Sequence, residues 1–71
     1  MTRLIDGRDM VPPEPLQLTL SALDTLAKGE ELVLLLNCHP IPLFNILRGT
    51  GSTWSETIHV DGTHEIRIRR G

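Results

Sequence analysis

The stretch Glu31-Leu32-Val33-Leu34-Leu35-Leu36 (ELVLLL), set between Gly29 and Asn37, decides the fold. It has the length of one strand and its apolar run is unbroken. A run without alternation predicts a strand covered on both faces, or one shielded at the centre of a sheet. Upstream, Pro13 suits a first helical position, because its missing N–H would have no intrahelical partner there. Glu14 places a negative charge beside the positive end of the helix dipole. Leu16, Leu20, Leu23 and Ala27 follow at helical spacing, with Leu26 alongside and Leu18 at the margin of the stripe. Lys28 and Gly29 read as the last turn and the stop, so a helix is expected over about 13–28. Further upstream, Arg3 to Asp6 (RLID) reads as a brief strand ending at Gly7. One helix joining two strands makes them parallel, with a right-handed crossover.

Downstream, Asn37-Cys38-His39-Pro40-Ile41-Pro42 is a loop, since two prolines forbid a strand interior. Leu43, Ile46 and Leu47 predict a short helix that stops near Gly49 and Gly51. Ser52 to Arg70 alternates around an Asp61-Gly62 turn signal. A two-residue loop would pair Ile58 with Glu65 and throw Ile66 and Ile68 to the face opposite Trp54 and Ile58. A three-residue loop, Val60-Asp61-Gly62, with Gly62 left-handed in a G1 bulge, pairs Ile58 with His64 and Trp54 with Ile68. It gathers the apolar set on one face, so it is preferred. The order strand, helix, strand, helix, strand, strand predicts an α/β (α+β) two-layer sandwich. Two helices should cover one face of a four-stranded mixed sheet, in one domain over 1–71.

Composition narrows the functional classes. Leu, Ile, Val and Phe supply 22 of 71 residues, enough for a core. The net charge of −2 argues against a nucleic-acid binder that relies on phosphate contacts, and two aromatic residues make no stacking platform. The single cysteine excludes an internal disulfide. No apolar run is long enough to span a bilayer, and MTRLIDGRD lacks the apolar segment of a signal peptide, so a cytoplasmic protein is expected.

The chemistry is expected where the two parallel strands release their loops, the edge at which open α/β sheets bind ligands. Arg8 and Asp9 come from the first loop, Cys38 and His39 from the second, and Pro12 and Glu14 from the start of the main helix. Cys38, beside a helix start and a histidine, is a candidate nucleophile or metal ligand. Cys38 and His39 are adjacent and supply at most part of a metal shell, so zinc would need ligands from another loop or a second chain. The preferred hairpin register puts His59 and His64 on opposite faces, which speaks against a metal shared between them. Arg67 and Arg69 are read as a solvated strand face that blunts edge pairing, with Arg70 closing the basic run. There is no glycine-rich phosphate loop, GxSxG or CxxC.

The stretch GRDMVPPEPL, Gly7 to Leu16, resembles the TusA/SirA-like sulfur-carrier proteins, in which Cys-Pro-x-Pro opens the first helix of a βαβαββ fold. Pro13-Glu14-Pro15 matches, but Pro12 stands at the motif's cysteine, so sulfur relay by that residue does not carry over. The chain is more similar still to the branch called domain of unknown function 2249. PPEPL at the helix start, GEELVLL at the second strand, Pro40-Ile41-Pro42-Leu43 and the Arg-Ile-Arg of the last strand carry that resemblance over residues 3 to 70. Members often hold a histidine or acidic residue just before the Pro-x-Pro-Leu turn, where Cys38 and His39 stand here. Their association with hemerythrin-like and redox-related proteins implies redox, sulfur or metal physiology. The expectation is a non-catalytic binding or adaptor module. It would be a monomer or weak dimer, meeting a protein partner or small ligand through Arg8, Asp9, Pro12, Glu14, Cys38 and His39. No cofactor is assigned. The alternatives are a thiol-transfer protein using Cys38 and a metal-binding protein using Cys38 and His39.

Overall fold

The computed structural model describes residues 2–11 and 14–70. Its elements run β1 (Thr2–Asp6), α1 (Glu14–Thr25), β2 (Glu31–Leu36), α2 (Ile41–Arg48), β3 (Thr53–Ile58) and β4 (His64–Arg69). The expected roles of Pro12 and Pro13 at the helix start lie outside the described residues.

The four strands form one sheet in the order β1-β2-β4-β3. β1 and β2 are parallel, and β4 runs antiparallel to both β2 and β3. The predicted mixed sheet is therefore present. β2 owes its unbroken apolar run to a central position. Leu32, Leu34 and Leu36 join the core under the helices, while Val33, on the other face, is also buried. No helix covers Val33; its neighbours across the sheet, Leu4 on β1 and Arg67 on β4, do so.

The hairpin takes the predicted register. Trp54 pairs with Ile68 and Ile58 with His64. The His59 N–H donates to the Thr63 carbonyl, and Gly62 has φ +90°, which leaves Val60-Asp61-Gly62 as the loop. Ile66 and Ile68 are fully buried. Ile58 lies in register with the row of Ile66 and Ile68 but is exposed near the hairpin tip, as is the loop residue Val60. β4 is inserted between two strands and has no free edge, so Arg67 and Arg69 do not blunt one. They stand on the uncovered face and pair with Glu31.

The helices differ from expectation in detail. The inward stripe of α1 runs Leu16, Thr19, Leu23 and on to Leu26, with Thr19 wholly buried and Ala27 exposed. Burial of the threonine is tolerated because its hydroxyl donates to the Pro15 carbonyl at 2.7 Å. α1 ends at Thr25 rather than near residue 28. The Leu26 N–H turns back to Leu23, the Ala27 N–H donates to the Glu30 carboxylate, and Gly29 takes φ +87° in the turn that follows. Its terminal carbonyls are capped from afar. Arg70 donates to the Leu23 and Leu26 carbonyls, and Arg3 donates to the Thr25 carbonyl and hydroxyl. Both guanidinium groups thus sit at the negative end of the helix dipole. In α2 the buried face is Leu43, Phe44 and Leu47, and Ile46 is partly exposed. Gly49 caps it, as the sequence suggests.

Candidate functional site

The loops leaving β1 and β2 meet at one edge of the sheet. The Gly7 N–H donates to the Leu35 carbonyl at 2.8 Å, and the Asn37 side chain donates to the Arg8 carbonyl. This approach leaves little room for a side chain at Gly7. A Cβ there would lie 2.9 Å from Leu36 Cδ2, 3.2 Å from the Leu35 carbonyl oxygen and 3.3 Å from the Pro15 Cβ.

The side chains then part to opposite faces. Arg8 turns back on Asp6, with Nε 2.9 Å from Oδ1 and Nη2 2.8 Å from Oδ2. This two-pronged hydrogen bond, with a third from the Arg8 N–H, holds the Asp6 carboxyl down at about 2. Arg8 borders an open depression on the uncovered face with Leu35, His59 and Glu65. Asp9 is exposed in the first loop and Glu14 at the start of α1. Pro12, the remaining residue expected there, lies outside the described residues. Cys38 and His39 lie instead on the covered face. They border a groove of about 340 Å³ between the starts of α1 and α2, walled by Pro15, Leu16, Thr19, Leu34, Leu36 and Leu43. The first loop's guanidinium and the second loop's thiol and imidazole thus serve different surfaces. Cys38 is exposed.

Beside this groove a cluster forms that includes two residues the sequence reading did not nominate. Glu56 on β3 accepts from the Nδ1 of His39 at 2.8 Å and from the Nδ1 of His64 at 2.9 Å. Glu56 and His64 are only 18% and 16% exposed in their side chains, and His39 is 49% exposed. Burial pushes the Glu56 carboxyl up, but hydrogen bonds from His64 and then His39, with their positive charge when protonated, hold it below the ordinary carboxylate range. The His39 ring packs edge-on against Phe44 at 4.9 Å, and Phe44 stacks on Trp54 at 5.6 Å. The core thus fixes the outer imidazole from behind. The signal for Glu56 and His64 lay in the strand pattern. Glu56 interrupts the apolar row of Trp54 and Ile58, and His64 begins the row of Ile66 and Ile68. The preferred register puts the two on one face as diagonal neighbours.

His59 has a different partner. Its Nε2 lies 2.9 Å from Glu65, whose other oxygen accepts from Arg67 at 2.6 Å. The two hairpin histidines therefore bind different strands' carboxylates on opposite faces, as the register predicts.

A small βαβαββ sandwich with this strand order belongs to the SirA-like class of folds. A SirA-like protein from Desulfitobacterium hafniense, known from a crystal structure, superimposes with a TM-score of 0.85 at 24% identity over 100% of this chain and 99% of that one. The family itself follows from residues 4–70, which match "Uncharacterized conserved protein (DUF2249)", and the chain belongs to that family. No functionally curated protein matches it.

Proposed function

We propose that this chain is a non-catalytic binding module that receives a small, mainly apolar ligand in the groove between the starts of α1 and α2. The supporting observation is the place and lining of that groove. It opens where β2 ends, its walls are apolar, its volume falls within the range of small-molecule sites, and its few polar groups, Cys38 and His39 among them, can orient a ligand. The place of action we assign is the cytoplasm, and the family resemblance points to redox, sulfur or metal physiology, which an exposed Cys38 thiol suits. Aromatic fragments such as indole, titrated into isotopically labelled protein, test the reading. Shifts should cluster on Leu16, Thr19, Leu34 and Cys38, and alkylation of Cys38 should reduce them. Shifts confined to the Arg8 face, or none, end it.

A second reading takes Cys38 as an acceptor of sulfane sulfur, and the exposure of its thiol favours it. The Cys38 thiolate would attack a desulfurase persulfide, gaining the outer sulfur and releasing the desulfurase thiolate. Mass spectrometry after incubation with a cysteine desulfurase and cysteine decides. One added sulfur, absent in Cys38→Ser, supports transfer, and an unchanged mass removes it.

A further inference from the structure

We propose that His39, Glu56 and His64 form a binding site for a borderline divalent transition ion, of the zinc and copper(II) kind. The site shares His39 with the groove but needs no organic ligand, so it stands or falls by its own test.

The geometry comes first. One ligand atom from each residue falls within 4.8 Å of the others, the only such set among the described residues. The two imidazole-to-carboxylate distances are 2.8 and 2.9 Å. Ligands about 2.0–2.1 Å from one metal stand about 2.9 Å apart at right angles and about 3.3 Å apart at tetrahedral angles. The two imidazole-to-carboxylate separations already suit one ion, while the two imidazole nitrogens, within 4.8 Å of each other, close on it by rotation of the exposed His39 ring.

The donor set selects the metal class. Two imidazole nitrogens and one carboxylate oxygen suit zinc or copper(II). Calcium and magnesium favour oxygen-rich shells and are poorly matched by a single carboxylate. The Cys38 sulfur is outside the set, so a thiolate-selected ion such as copper(I) is not favoured. Three protein ligands leave a fourth position open, and His39 lies on the solvent side of the cluster, which gives an ion a way in.

The sheet supplies the control. On its other face Glu65 meets His59, but a permanent cation, Arg67, holds its second oxygen. Among the described residues no guanidinium meets Glu56, and its hydrogen-bonding partners are two imidazoles. An imidazole can exchange an Nδ1 proton for a metal, while arginine keeps its charge. In the metal-free form each Nδ1 carries the proton it donates to Glu56. On binding, each ring gives up its Nδ1 proton to solvent, a neutral ring takes one up from solvent on Nε2, and the freed Nδ1 lone pair turns to the ion.

Zinc titration of the whole chain, followed by calorimetry and by nitrogen-15 NMR of the imidazoles, tests the site. The expected result is one ion per chain, with the Nδ1 resonances of His39 and His64 moving together. Glu56→Gln and His64→Ala should each weaken binding about tenfold or more. His59→Ala and Cys38→Ser should leave it within about threefold. His39→Ala, at an exposed loop position, keeps the test valid should His64→Ala lose its fold. Three results would overturn the proposal: no imidazole movement at about 1 mM zinc, the weak end of specific affinity; undiminished binding in folded Glu56→Gln and His39→Ala; or a tenfold loss in Cys38→Ser, which would replace this donor set by a thiolate one.

Discussion

The two faces of the sheet carry the same chemical pair, a histidine against a glutamate, and use it in opposite settings. On the covered face, Glu56 accepts from two imidazoles beside Phe44 and Trp54, and both it and His64 are largely buried. On the uncovered face, Glu65 is one link in a chain of ion pairs from His59 through Arg67 to Glu31 and on to Arg69. Composition does not separate them; surroundings do. The two glutamates are equally shielded, so the difference lies in the partner. Glu65 is already neutralised by the permanent charge of Arg67, while the hydrogen-bond partners of Glu56 among the described residues are imidazoles, which leaves it free to respond to an added ion.

The same contrast governs stability. Leu34→Ala, under the helices, should cost about 2–5 kcal/mol by chemical denaturation, because it empties a fully buried site. Leu35→Ala, one residue along on the other face, should cost clearly less. Equal costs would show the uncovered face to be packed against something. Gly7→Ala should cost about 1–3 kcal/mol, since the new methyl meets Leu36 and the Leu35 carbonyl at the edge where both faces end. Nuclear magnetic resonance shifts in that variant should extend to the groove. Arg70→Ala should cost about 1 kcal/mol and raise amide exchange at the end of α1, whose Leu23 and Leu26 carbonyls lose their cap. The smallest effect belongs to Asp6. Its folded carboxyl titrates near about 2, below its ordinary value of 3.8. The stability it lends is therefore complete above that ordinary value and is lost as pH falls from there through about 2. A carbon-13 titration should show the low midpoint, and Arg8→Ala should return it toward 3.8.

What the sequence made legible followed from faces. ELVLLL read as a strand covered on both faces or shielded at the centre of a sheet, and it is central; the hairpin register followed from keeping Trp54 with Ile68. The family resemblance agreed with both. The site was less legible because loop position fixes where a residue leaves the sheet, not which side it turns to. Arg8 leaves beside Asn37 yet swings to Asp6 on the uncovered face. The register already places Glu56 and His64 on one face, but the sequence reading sets His64 only against His59 and gives Glu56 no role. Arg70 looked like surface charge because its partners lie 44 and 47 residues away in sequence.

One feature of the strand order bears on how the chain is assembled. β4 is the last of these four strands to leave the ribosome, yet it sits between β2 and β3. Until it emerges, β3 has no neighbour to hydrogen-bond, β2 shows a bare apolar flank, and the end of α1 lacks the arginine that closes it. Only the β1-α1-β2 unit can form early. The other half of the sheet pairs only once β4 is available, so its closure depends on long-range contacts, those of β4 with β2 and of Arg70 with α1 among them.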